Sequence, residues 1–120
     1  MAKAIGLEMG ETVHMPAGQD AQARRFYGNL LGMRETMRAP GEKGVWFQFP
    51  EGTYKIKASE APENDSAKVV ARFRVDNAET IRQGLSGARF RIYDAPPETG
   101  TRGFYVLDPF GNRIELRQRR

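Results

Sequence analysis

Two side chains could do acid–base chemistry: His14, the only histidine in the sequence, and Glu115 in "RIEL". An imidazole near its ordinary pKa exchanges protons at neutral pH, so His14 is a candidate general acid or base. Glu115 alternates with Ile114 and Leu116, so it faces away from them and could serve a ligand as hydrogen-bond acceptor or base. Each has a plainer alternative. His14 would be a hydrogen-bonded strand histidine at a cavity rim, and Glu115 would form a salt bridge to Arg72 or Arg113. The pairs Arg72 and Arg74, Arg89 and Arg91, and Lys55 and Lys57 each share a strand face. If two of these pairs line one cavity, it favours anions; otherwise they are solvated charges that protect strand edges. Trp46, Phe47, Phe49 and Tyr54 could stack on a ligand, but alternation allows only one face of their hairpin to do so, and the rest are core. The expected ligand-contacting set is Thr12, His14, Trp46, Tyr54, Arg72 and Glu115, with His14 and Glu115 as the catalytic candidates. There is no cysteine, which removes thiolate metal sites, cysteine nucleophiles and disulfides.

Short alternating runs must position these groups. "ETVHMPAG" reads as a strand with Val13 and Met15 on one face and Thr12 and His14 on the other. Asp20 is read as the N-cap of a helix through "AQARRFYGNLLGM", whose apolar face holds Phe26, Tyr27, Leu30, Leu31 and Met33. Arg34 to Met37 is a short strand, and "VWFQF" and "TYKIKA" form a hairpin about Pro50-Glu51-Gly52. The polar run "APENDS" is the best linker. "KVVARFRV" then restarts the pattern, with Ala71, Phe73 and Val75 opposite Val70, Arg72 and Arg74. Asp76 and Glu79 have capping-box spacing ahead of the short helix "AETIRQGL". "ARFRIYD" reads as a strand, "APPETGT" as a loop, and "FYVLDPFGNRIEL" as a closing hairpin.

Strand, helix and about three strands thus occur twice. The predicted architecture is α+β, one domain over 1–120 with two βαβββ modules at about 8–60 and 67–118. They form a curved mixed sheet around a cup-shaped cavity, with helices on the convex side. A chain of 120 residues suits one domain. No run approaches the roughly 20 apolar residues of a membrane span, and no leader is evident at "MAKAIGLEMGETV". With the missing cysteines this leads us to expect a cytoplasmic protein without membrane contact. The net charge is +4, but Arg117, Arg119 and Arg120 of the terminal "RQRR" supply most of it. A frayed basic tail without interleaved aromatics is a poor nucleic-acid binder, and none is expected as a partner.

"RRFYGNLLGMRE", "KGVWFQF", "FRVDNAE" and "GFYVLDPFGNRIEL" resemble the glyoxalase/bleomycin-resistance/extradiol-dioxygenase (vicinal oxygen chelate) superfamily, in the same order and over nearly the whole chain. The resemblance implies the paired-module fold and a homodimer whose cups are completed by, or packed against, a second chain. It leaves the reaction open, because lyases, isomerases, dioxygenases and drug-sequestering proteins share this fold. Metal-using members of the family hold a divalent ion with His and Glu on four strands. Glu115 matches the last of these ligands. Relatives read about His-Val-x-Leu-x-Met-Pro before the first helix, so setting Met-Pro on Met15-Pro16 puts their first His at Gly10. A shifted register offers His14 instead, roughly 13 Å further along at about 3.3 Å per residue. The second ligand matches Ile56, or Lys55 or Lys57 if the register slips, and the third matches Val70. A lone carboxylate does not hold such an ion. The expectation is therefore no metal and no cofactor, and a homodimer that binds or sequesters a small anionic or polar-aromatic molecule. The alternatives are a lyase-, isomerase- or dioxygenase-type enzyme using His14 or Glu115, and a non-catalytic interaction module whose cup is filled by side chains.

Overall fold

Alternation of apolar and polar residues builds both sheets. The computed structural model describes residues 2–9, 12–16, 18–49, 52–59, 70–94 and 103–118. Strand β1 (Ala4–Met9) precedes β2 (Thr12–Pro16), and a helix α1 (Asp20–Ala23) runs on into a π-helical stretch (Arg24–Leu30). Then come β3 (Arg34–Thr36), β4 (Val45–Phe49) and β5 (Gly52–Ser59). Strand β6 (Val70–Val75), helix α2 (Ala78–Gly87), β7 (Tyr93–Asp94), β8 (Gly103–Leu107) and β9 (Arg113–Gln118) complete the chain. "APENDS", "APPETGT" and the terminal Arg119 and Arg120 lie outside the described residues.

The strands form a four-stranded sheet, ordered β2-β5-β4-β3, and a five-stranded sheet, ordered β1-β6-β9-β8-β7. In each, the strand before the helix lies parallel to the last strand of its unit: β2 beside β5 and β6 beside β9. The other pairings are antiparallel. This is the expected βαβββ unit repeated, an open α+β fold with mixed sheets. None of the described helices is long and apolar enough to cross a membrane.

Among the described side chains, strands β2, β4, β6, β8 and β9 each bury an apolar face. Val13 and Met15 of β2, Ala71, Phe73 and Val75 of β6, and Ile114 and Leu116 of β9 are all buried, as the alternation predicts. The helices cover these faces with Phe26, Tyr27 and Leu31 from the first and Ile81 and Leu85 from the second, all in one continuous core. Aromatic rings tie the modules together. Tyr54 meets Phe73 edge-on at 4.8 Å, and Phe49 lies 5.8 Å from the same ring. Burying side chains of this size stabilises each by about 1.5–3 kcal/mol, before the added gain of ring pairs.

Several local readings are corrected. Strand β1 was not foreseen; it pairs with β6 and so joins the second sheet. Its alternation is broken by register shifts between Ala4 and Gly6 and between Leu7 and Met9, and the Arg74 guanidinium lies where a Cβ on Gly6 would stand. Gln19, not Asp20, is the N-cap of α1 and makes no side-chain cap; Asp20 is the first helical residue. The helix then widens: Leu31 N–H donates to Phe26 O at 3.0 Å and Met33 N–H to Tyr27 O at 3.0 Å. At the second helix the cap is Asn77, whose Oδ1 accepts from Thr80 N–H at 3.1 Å. Asp76 instead accepts from Lys3 N–H at 2.7 Å. Finally, "ARFRIYD" contributes only Tyr93–Asp94 to a strand. Arg89 turns left-handed at φ 71°, so Arg89 and Arg91 do not share a strand face.

Candidate functional site

The closing hairpin fixes the second module's open face. Its turn is tied by Asp108, a buried carboxylate. Asp108 Oδ1 accepts from Phe110 N–H at 2.9 Å and Asn112 N–H at 2.7 Å, and Oδ2 from Asn112 Nδ2 at 3.0 Å. Tyr27 of the π-helical stretch donates its hydroxyl to Oδ2 at 2.6 Å, linking the first module to this turn. Burial pushes the Asp108 carboxyl above its ordinary range, although the bonds from Tyr27, Asn112 and Phe110 pull it back. Burial likewise raises the Tyr27 and Tyr54 phenols. The Tyr54 hydroxyl lies against Tyr27 but out of hydrogen-bond geometry. This cluster is inside the core, so its work is to hold the hairpin.

With the turn fixed, register sets the row of side chains on the open face. Arg72 of β6 stands opposite Glu115 of β9, Glu115 opposite Tyr105 of β8, and Tyr105 opposite Tyr93 of β7. Arg72 donates from Nε to Glu115 Oε1 at 2.8 Å. Arg113 brings its Nε to 3.1 Å from Oε2 of the same carboxylate, outside good hydrogen-bond geometry. The Arg113 guanidinium lies over the Tyr105 ring, with Cζ 3.8 Å from the centroid. Tyr93 and Tyr105 stack almost parallel, with centroids 4.8 Å apart at 10°. Arg91 approaches Tyr93 at 5.4 Å. One carboxylate thus stands between two guanidiniums at the end of a stacked column. In the next row Arg74 stands opposite Arg117, whose Nη1 reaches Glu8 Oε1 at 3.3 Å.

The other expected residues fall elsewhere. Trp46 is half-buried on β4 of the four-stranded sheet, opposite Thr36 and Lys55. Thr12 and His14 occupy β2 positions paired with Lys55 and Lys57; their side chains lie outside the described ones. Tyr54, expected as a ligand contact, belongs to the core. It is fully buried because it pairs with Phe47 on the inward face. So Arg72 and Glu115 are brought together, Trp46, Thr12 and His14 lie on the other sheet, and Tyr54 lies beneath it. Tyr93 and Tyr105 were missed. For Tyr105 the signal was present: Phe104 and Val106 alternate inward, which turns Tyr105 outward beside Glu115.

These neighbours do not suit the family's divalent ion. Both oxygens of Glu115 face guanidiniums, which would repel a cation. Register sets Ile56 opposite the buried Val13 and Val45. Among the described residues no group of three His, Cys, Asp or Glu side chains could hold a metal.

Comparison with known proteins agrees with the strand order. A protein from Bacillus anthracis described as of the glyoxalase family superposes with a TM-score of 0.77 at 27% identity, covering 94% of this chain and 97% of that one. Lactoylglutathione lyase from Agrobacterium tumefaciens gives 0.66 at 17% identity, over 92% and 93% of the two chains. The oxidase ChaP-H2 gives 0.69 at 18% identity, over 94% of each. No curated protein matches the sequence. The profile of the Glyoxalase/Bleomycin resistance protein/Dioxygenase superfamily matches residues 11–116, and the chain belongs to that superfamily.

Proposed function

We propose that this protein binds a small polar molecule without a metal ion, as a sequestering or sensing protein, on the open face of the five-stranded sheet. The observation that carries this is the seat of Glu115. The carboxylate that metal-using relatives would turn to an ion is held between Arg72 at 2.8 Å and Arg113 at 3.1 Å. A cation there would have to break two ion pairs and face two positive charges. Catalysis by Glu115 as a base has less support, because both its oxygens already face cations.

We further propose a cytoplasmic homodimer, as the family resemblance and the lack of cysteine suggest, to be tested by light scattering in solution. A thermal-shift screen of the full chain against metabolites and antibiotics tests the binding. Stabilisation by at least one compound, unchanged by chelator, is expected. Near one Mn, Fe, Ni or Zn per chain in protein purified without chelator would sink the metal-free reading. Silence across a broad panel would favour an interaction module instead.

A further inference from the structure

Guanidinium groups gather on the open face of the five-stranded sheet around Glu115. Arg72 and Arg113 each meet Glu115 through Nε, and the terminal nitrogens of both guanidiniums make no hydrogen bond among the described residues. Their side chains remain 31% and 40% exposed, so those nitrogens are within reach of a solute. Arg74 and Arg117 stand directly opposite each other in the adjacent row. Arg117 is paired with Glu8. Among the described residues, Arg72, Arg74, Arg113 and Arg117 share this face with Glu115 and Glu8, both already paired.

The tyrosines narrow the ligand further. Tyr105 has Tyr93 stacked on one side and the Arg113 guanidinium over its ring. Arg91 stands by Tyr93. With its ring contacts taken up by these neighbours, the column is a poor stacking platform for an aromatic ligand. Both phenols are half-buried, and their hydroxyls make no hydrogen bond among the described residues. Hydroxyls and guanidinium forks need acceptors.

Building on the binding reading above, we infer that this face takes a small oxyanion with several acceptor oxygens, a phosphate ester or polycarboxylate, gripped by the terminal nitrogens of Arg72 and Arg113. Planar forks match the paired oxygens of such groups, as a point-charge ammonium does not. Glu115 orients both guanidiniums and itself opposes the ligand's charge. The row from Arg72 to Tyr93 crosses three strand gaps, roughly 15 Å at about 4.8 Å each, which suits a small metabolite.

The test is calorimetry on the full chain at fixed ionic strength with inorganic phosphate, citrate, benzoate and benzamidine. Phosphate or citrate should bind at least tenfold more tightly than benzoate, and benzamidine not at all. Phosphate preferred over citrate would assign the phosphate-ester class, and the reverse the polycarboxylate. Arg72→Gln and Arg113→Gln should each weaken binding at least tenfold, while Arg82→Gln, which removes a surface pair between α2 and Asp94 of β7, should not. Glu115→Gln should tighten anion binding several-fold. A loss of binding in Glu115→Gln, or benzoate binding best, would overturn the oxyanion assignment and leave small-molecule binding standing. Benzamidine binding that depends on Glu115 would do the same. No binding by any probe would overturn the assignment, and if the wider screen were also silent, the binding reading would fall with it.

Discussion

The two modules share one strand order and part company on their open faces. In the first, the row across the sheet runs Thr36, Trp46, Lys55, Thr12. In the second, one row runs Tyr93, Tyr105, Glu115, Arg72. The helices differ too. The first has no side-chain cap and widens into π-helix, whereas the second is capped by Asn77 and stays regular. Topology is thus kept by inward residues, which are alike in both, while chemistry is set by outward residues, which topology does not restrain.

The largest effect should come from the knot joining the modules. Asp108→Ala removes the acceptor for Phe110 N–H, Asn112 N–H, Asn112 Nδ2 and the Tyr27 hydroxyl together. Several buried donors left without partners should cost about 3 kcal/mol or more, read by urea denaturation. Tyr27→Phe, which frees one acceptor of a well-satisfied group, should cost only about 1 kcal/mol. Equal losses would mean that the inter-module bond, and not the turn, carries the stability.

Binding separates the two faces next. Arg113→Gln should weaken citrate binding at least tenfold, which is about 1.4 kcal/mol. Its effect on stability should stay within about 1 kcal/mol, because the ion pair is partly solvated. Trp46→Ala, on the other sheet, should leave citrate binding unchanged. If calorimetry gave the opposite pattern, the site would belong to the first module, beside Thr12 and His14.

The helix caps offer a smaller contrast. Asn77→Ala should destabilise the fold by about 1 kcal/mol, since the Thr80 N–H loses its acceptor. Gln19→Ala should change little, because Gln19 makes no side-chain cap. Thermal melts of the two variants would show whether both helices depend on their first turn.

What the sequence made legible follows the same inward–outward division. Val13, Met15, Phe73, Ile114 and Leu116 announce their burial by alternation, and the repeat follows from them. The Arg72–Glu115 pair was within reach because both residues lie on outward faces and the closing hairpin sets the register. Its second partner, Arg113, was legible only as one of two alternatives. Strand β1 was hidden because two register shifts break its period-two alternation. The segment Arg89 to Ile92 alternates like a strand, but Ala88 N–H bonds back to Gly84 O at 3.0 Å and Phe90 N–H to Leu85 O at 2.9 Å. These contacts finish the helix before any strand can begin. Tyr54 was misplaced by one face because the loop length of the β4–β5 hairpin sets which aromatic turns inward, and composition does not reveal it.

The smallest effect, and the one that separates burial from hydrogen bonding in the inter-module knot, is its pH dependence. Burial raises the Asp108 carboxyl above its ordinary value of 3.8, against the pull of its donors. A carboxyl raised on folding takes up a proton more readily in the folded chain. Its contribution to stability is therefore fully present below the unfolded value near 3.8 and is lost as pH rises through the folded value. Asp108→Asn keeps one acceptor and cannot titrate. Melting both proteins from pH 7 down to pH 4 cancels the other groups when the two curves are subtracted. The wild type should gain on Asp108→Asn as pH falls, by an amount on the order of 1 kcal/mol per unit of raised pKa. A difference that moved the other way would mean that the four hydrogen bonds outweigh burial and hold the carboxylate ionised. The link between the modules would then be a charge-assisted one, strengthened toward neutral pH.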